Sequence, residues 1–104
     1  VGSFSASHTA LSVARIECHY FINNCWLKLN QIIADIGKIR HIPAYIVQGR
    51  YDVICPVEQA WELAGAWPEA NLNIVADAGH AVVEPGITSS LLKATSAISE
   101  TIQK

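Results

Sequence analysis

The fold of this chain is decided by residues 43–76, which read PAYIVQGRYDVICPVEQAWELAGAWPEANLNIVA. Ala44 to Val47 form a short apolar run bounded by a proline and a glycine, which is typical of a buried parallel strand. Asn71 to Ala76 form a second run of the same character. Between the two runs, apolar residues recur at helical spacing from Val57 to Trp67, and Pro56 suits the first turn of that helix. A strand–helix–strand order predicts two parallel strands joined by a right-handed crossover.

Three helical segments flank this unit. Residues 8–22 carry apolar side chains at helical spacing, and two asparagines then break the pattern. Residues 29–37 form a weaker helical segment that is expected to end near Gly37. Residues 87–103 carry a third apolar stripe. The predicted order is therefore helix, helix, strand, helix, strand, helix, and the predicted fold class is α/β.

Composition and charge argue against several classes of protein. The chain has 104 residues, of which 51% are hydrophobic, and a formal net charge of -2. That balance disfavours a disordered tail and a nucleic-acid-binding surface, since the latter is usually strongly basic. No apolar run reaches the roughly 18 residues of a membrane span, and the first residues lack the pattern of a signal peptide. We therefore expect a cytoplasmic protein without nucleic-acid or membrane partners.

The predicted sheet is too small to stand alone. Parallel sheets are usually covered on both faces, and a pair of strands is marginally stable in water. At least one apolar strand edge would stay open, which favours pairing with another chain. We interpret residues 1–104 as a single partial domain at the end of a larger α/β protein, with residues 44–104 forming the strand–helix–strand–helix end of its core. We expect a homodimer, or association with a missing N-terminal part.

The cysteines predict neither a disulfide framework nor a metal site. Cys18, Cys25 and Cys55 are odd in number and widely spaced, with no C-x-x-C pair, which favours a reducing compartment. Cys18 and His19 would lie about 100° apart on a helix, so they cannot easily face one ion. We expect the three cysteines to be small, buried residues that fill the core.

Two residues lie where an α/β sheet usually binds its ligands, beyond the carboxyl ends of the strands. Asp52 follows the first predicted strand, and His80 follows the second. Since neighbouring strands lie about 4.8 Å apart, short loops can bring the carboxylate to the imidazole, which would leave the other ring nitrogen free as a general base. The alternative is structural: an aspartate after a strand is usually a turn residue, and a lone histidine is usually structural.

Two glutamates have different surroundings. Glu17 lies among apolar residues of the first helix, where a carboxylate is costly unless it meets a positive charge or hydrogen-bond donors. Its partner would be either Arg15 or Arg40, or the cationic group of a ligand. Glu84 precedes a proline in a loop, and we expect it to face solvent.

Several uncommon runs of the sequence, in one order, resemble the C-terminal third of proline iminopeptidases. The runs are Ala14-Arg15-Ile16-Glu17, His19-Tyr20-Phe21, Ile39-Arg40-His41-Ile42-Pro43, Gly49-Arg50-Tyr51-Asp52, Ala66-Trp67-Pro68-Glu69-Ala70, Gly79-His80 and Glu84-Pro85-Gly86. The resemblance extends over nearly the whole chain, from about residue 8 onward.

The resemblance implies an α/β-hydrolase fold and a serine peptidase that removes N-terminal proline from peptides. It implies that Asp52 and His80 match the acid and the base of the catalytic triad, and their order fits the Ser…Asp…His order of that fold. It also implies that Glu17 matches a carboxylate that holds the terminal imino group of the substrate, and that the helix of residues 8–22 adjoins the cap. No cofactor is implied, because triad chemistry needs none.

The chain departs from the family in one decisive respect, since no G-x-S-x-G motif occurs in it. We therefore expect the chain to supply the triad aspartate and histidine but not the serine, and to be inactive alone. Two alternatives stay open. One is a truncated, non-catalytic chain that associates with itself or with a partner. The other is an α/β-hydrolase with another class of substrate, which Glu17 disfavours.

Overall fold

The computed structural model describes residues 7–103. These residues belong to two compact units, residues 7–34 and residues 35–103. No helix in the described part of the chain combines the length and the apolar character that crossing a bilayer requires. The expectation that the helix of residues 8–22 adjoins a cap stays a prediction.

The first unit is built around helix α1, Ser7–Ile22, which confirms the predicted helix of residues 8–22. The helix ends where the asparagines begin, and the Asn23 side-chain amide donates a hydrogen bond of 2.8 Å to the His19 carbonyl oxygen. A short 3₁₀ turn follows at Asn24–Trp26. None of the α1 residues is buried, and most of its apolar side chains lie open to solvent.

The predicted helix of residues 29–37 is wrong as one continuous element. It is divided into a single α-helical turn, α2 at Gln31–Ala34, and a 3₁₀ turn at Ile36–Lys38. The Lys38 and Ile39 amides donate to carbonyls three residues earlier, as a 3₁₀ turn requires. Isoleucine is only a moderate helix former and glycine is a poor one, so this short segment has little preference to continue as an α-helix.

The second unit contains the predicted strand–helix–strand–helix order. Strand β1 is Tyr45–Gly49, helix α3 is Val57–Ala66, strand β2 is Asn71–Val75 and helix α4 is Pro85–Gln103. The two strands pair in parallel, with Tyr45 opposite Asn71 and Gly49 opposite Val75. The fold class is therefore α/β, as predicted, with two parallel strands. Pro56 lies one residue before α3 rather than inside its first turn.

The core of the second unit is small. Val75, Ala78 and Ile87 are buried together, and the partly buried Val47 packs against them. The prediction of fully buried strands is wrong for this chain, since Tyr45 at the start of β1 is exposed and the first four residues of β2 alternate between exposed and half-buried. One partner strand and two helices cover only part of each strand.

The carboxyl ends of the two strands lie at the same edge of the sheet and carry loops that bind each other. The Arg50 amide donates to the Val75 carbonyl oxygen and the Tyr51 amide to the Ala78 carbonyl oxygen, both at 3.0 Å. Gly49 permits this approach, because a Cβ atom at that position would collide with the carbonyl of Gly79. The loops that carry Asp52 and His80 are thus held side by side.

Candidate active site

The site is formed by an aspartate and a histidine at the carboxyl ends of the two strands. The Nδ1 atom of His80 lies 2.9 Å from the Oδ2 atom of Asp52. The two residues are 28 positions apart in the chain. Asp52 and His80 were predicted to meet because each follows a strand, and the structure brings them together. Their catalytic role stays a prediction.

The Asp52 carboxylate is held on both of its oxygens. Its Oδ1 atom accepts hydrogen bonds from the backbone amides of Ile54, at 3.0 Å, and Cys55, at 2.8 Å. The bond from the Cys55 amide is the main cause that lowers the pKa of Asp52, and the bonds from His80 and the Ile54 amide act in the same direction, against the opposing effect of desolvation. The Asp52 side chain is only 7% exposed. The result is an ionised carboxylate in a fixed orientation.

An ionised carboxylate fixes the tautomer of the histidine beside it. Because Asp52 only accepts hydrogen bonds, we assign the ring proton of His80 to Nδ1, which leaves the lone pair on Nε2. The His80 side chain is 51% exposed, so its outer nitrogen has access to a reacting group. The pair has the geometry of a general base with its orienting acid.

The loop before His80 is closed by Glu84, a residue predicted from its sequence position to face solvent. The Gly79 amide donates to both carboxylate oxygens of Glu84, at 3.0 Å and 2.9 Å. The expectation of a merely solvent-facing Glu84 is therefore wrong. The position of Glu84 directly before a proline and a helix could have indicated a structural role, since acidic residues are favoured at the amino end of a helix.

Glu17 lies exposed on α1, in the first unit, whereas Asp52 and His80 lie in the second. Arg40, one of its two expected ion-pair partners, binds Glu69 instead, with 2.6 Å between Nη2 and Oε1. The hydrogen bond and charge of Arg40 lower the pKa of Glu69. Within the described part of the first unit, no cation lies within 4.0 Å of the Glu17 carboxylate. A ligand-binding role for Glu17 stays a prediction.

The three cysteines are all exposed, so the expectation that they fill the core is wrong. Cys55 lies next to the aspartate–histidine pair. Its sulfur, a carboxylate oxygen of Asp52 and a ring nitrogen of His80 all lie within 4.8 Å of one another. In residues 7–103, this is the group of side chains that offers three ligand atoms to a metal ion. Nothing in the local spacing of the cysteines pointed to it.

Large apolar side chains close in sequence to Asp52 and His80 lie open to solvent. They are Tyr51, Val53, Ile54, Val82 and Val83, between 60% and 88% exposed. All five belong to the two loops that carry Asp52 and His80. Contiguous exposed apolar side chains usually mark a surface that another molecule or another part of a protein covers.

Comparison with known proteins gives a consistent result. The chain is 50% identical over 93 residues to a probable proline iminopeptidase of Leptolyngbya boryana, a match that covers 88% of this chain and 29% of that protein. It is 54% identical over 86 residues to a proline iminopeptidase of Arabidopsis thaliana, covering 82% of this chain and 23% of that protein. For a proline iminopeptidase of Neisseria gonorrhoeae the identity is 48% over 89 residues, covering 85% and 28%.

The chain therefore spans less than a third of the length of the curated relatives that it matches, and it corresponds to their C-terminal part. No protein-family model matches the chain.

Proposed function

Since this chain belongs by sequence to the proline iminopeptidase family, as a C-terminal part, we propose that it supplies the acid and the base of a serine peptidase that releases N-terminal proline from peptides. The observation that carries this proposal is the 2.9 Å contact between the Asp52 carboxylate and His80 Nδ1, at the carboxyl ends of adjacent parallel strands. Ligands of open α/β sheets bind at that edge.

In the proposed reaction, a serine hydroxyl from outside this chain attacks the carbonyl carbon of the N-terminal proline residue. His80 takes the serine proton on Nε2 and later gives it to the leaving amine as the peptide bond breaks. Asp52 keeps the imidazole in the correct tautomer and stabilises the imidazolium. Water then releases proline from the acyl-enzyme by the same proton transfers.

Glu17 has a separate proposed role, which is to bind the cationic nitrogen of the N-terminal proline. Its support is the match of its position to the family and its exposed carboxylate without a cationic partner in the described part of its unit. A carboxylate that holds a charged nitrogen would favour substrates with a free terminal imino group.

The 104-residue chain alone is proposed to be inactive, because it carries no G-x-S-x-G nucleophile motif. A second candidate function is a non-catalytic chain that associates with a second copy or a partner. The exposed apolar residues of α1 and of the two site loops favour that alternative.

A chimera tests the catalytic assignment. This chain replaces the matching C-terminal segment of the Leptolyngbya boryana relative, which provides the upstream part that the chain lacks. We expect the chimera to release a chromophore from a proline-terminated substrate, whereas the chain alone does not. Asp52→Asn should lower kcat by on the order of 10⁴-fold, because the amide would favour the wrong histidine tautomer.

The matched control is Asp77→Asn, which changes an exposed aspartate in the loop after β2 and should leave kcat unchanged. Activity of the chimera that survives Asp52→Asn or His80→Ala would refute the assignment. Turnover by the purified chain alone, abolished by His80→Ala, would refute the dependence on an external nucleophile.

The role of Glu17 is tested in the same chimera with two substrates. Glu17→Gln should reduce kcat/KM for a proline amide by on the order of 100-fold, since losing an ion pair to a ligand costs about 2–4 kcal/mol. A neutral acyl ester, which has no charged nitrogen, should be affected far less. Equal losses on the amide and the ester would show that Glu17 does not bind the imino group.

A further inference from the structure

Cys55 is the one exposed cysteine whose sulfur lies in a cluster with ligand atoms of two other residues in the described part of the chain. We propose that Asp52, Cys55 and His80 form a binding site for one soft divalent cation such as Zn²⁺. The three side chains come from two loops, and their ligand atoms already lie within 4.8 Å of one another. This metal site differs from the proposed acid–base pair, which uses the same aspartate and histidine but not the cysteine.

The donor set suits zinc. Zinc is bound by cysteine sulfur at about 2.3 Å, histidine nitrogen at about 2.0–2.1 Å and carboxylate oxygen at about 2.0–2.2 Å, in tetrahedral geometry. Those bond lengths place the ligand atoms roughly 3.3–3.7 Å apart. The atoms of the cluster therefore need to move by only about 1 Å, which rotation of exposed side chains provides. Three protein ligands leave the fourth position to water.

Hydrogen bonds hold the backbone of Cys55 on both sides of its Cα atom. Its amide donates to Asp52 Oδ1 at 2.8 Å, and its carbonyl oxygen accepts from Gln48 Nε2 at 2.8 Å. The Asp52 carboxylate is nearly buried and bonded to the His80 ring. Only the cysteine side-chain torsion and the exposed imidazole remain to be adjusted, so little conformational freedom is lost on binding a cation.

Binding of the cation and the proposed action of His80 as a base exclude each other. His80 Nδ1 is the ring nitrogen that faces Asp52, so a metal bound there displaces the Nδ1 proton, which a neutral imidazole then carries on Nε2. The Cys55 thiol gives up its proton to solvent when its sulfur binds the metal. A protonated Nε2 cannot accept the serine proton, so the metal-bound form would be inhibited. This consequence rests on the proposed function, whereas metal binding itself does not.

Metal binding is measured on the 104-residue chain, without any activity assay. Zn²⁺ is titrated in competition with a chromophoric chelator under a phosphine reductant, and Cd²⁺ is titrated while its ultraviolet thiolate-to-metal absorption is recorded. We expect one tight ion per chain. Cys55→Ser should abolish the Cd²⁺ absorption and weaken Zn²⁺ binding by on the order of 100-fold or more, and His80→Gln should weaken it by at least about tenfold.

Cys25→Ser is the matched control, because Cys25 is also exposed but lies in the other compact unit; it should leave both signals unchanged. Circular dichroism of each variant checks the fold, and Cys55→Ala provides a second removal of the thiol. Zn²⁺ affinity that is equal in the wild-type chain and both Cys55 variants would overturn the proposal, as would a Cd²⁺ absorption that disappears with Cys25. A chimera that binds the metal through Cys55 but stays inactive after a chelator has removed the metal would refute the proposed function alone.

Discussion

At the scale of single residues, the loop that carries His80 depends on one carboxylate. Both carboxylate oxygens of Glu84 accept hydrogen bonds from the backbone amide of Gly79, the residue directly before His80. Glu84→Ala should leave that half-buried amide without its partner, at a cost of about 1 kcal/mol or more. We expect hydrogen exchange of the Gly79 amide, measured by NMR, to become on the order of tenfold faster.

Glu84→Gln keeps an amide oxygen that can accept the same bond, so it should preserve most of the protection of Gly79. Glu62→Ala, which changes an exposed glutamate on α3, should have no effect on it. If exchange at Gly79 were the same in Glu84→Ala as in the wild-type chain, the carboxylate would not hold the loop closed.

At the scale of secondary-structure elements, two glycines should respond to the same substitution with opposite signs. Gly49 ends β1, where a Cβ atom would collide with the Gly79 carbonyl and lie 2.8 Å from the Ala78 carbonyl oxygen. Because both are backbone atoms, Gly49→Ala should destabilise the fold by about 3 kcal/mol. Gly65 lies in α3 with no atom within 4 Å of such a Cβ, so Gly65→Ala should stabilise it by up to about 1 kcal/mol.

Urea unfolding followed by circular dichroism measures both effects, with each variant compared to the wild-type chain. Gly49→Ala should lower the midpoint, and Gly65→Ala should raise it. A Gly49→Ala variant as stable as the wild type would mean that the loops carrying Asp52 and His80 are not packed as closely as the structure indicates.

At the scale of the whole molecule, apolar surface and strand edges are left uncovered. In the described residues β1 and β2 pair only with each other, so each has an outer edge with unpaired backbone groups. Such edges favour pairing with another strand, and burial of exposed apolar side chains supports it. We expect the isolated chain to form a homodimer, or to stay bound to the upstream part of the protein where that part is present.

Sedimentation equilibrium at micromolar concentrations measures the association of the isolated chain. A mass that rises with concentration toward that of two chains is the expected result. A well-folded chain that keeps the mass of one copy at every concentration would contradict the prediction, since its outer edges and apolar residues would then need no cover.

Local residue patterns were enough to predict the types of most elements and their order along the chain. Hydrophobic periodicity is a local property, so α1, α3, α4 and the two strands were predictable to within about two residues. The predicted strands also placed Asp52 and His80 at the same edge of the sheet, because the carboxyl ends of adjacent parallel strands lie on the same side. The short segment around residues 29–37 was mispredicted because its few isoleucines and one glycine carry no strong helical preference.

Which side chains meet in the folded chain could not be predicted from those local patterns. The contact of Asp52 with His80 joins residues 28 positions apart, and the approach of Cys55 to both depends on the turn that two backbone amides form around the Asp52 carboxylate. The Glu84–Gly79 bond and the exposure of the three cysteines likewise depend on how the loops close and on what covers them. These properties are set by packing between distant segments, which a local pattern of residues does not encode.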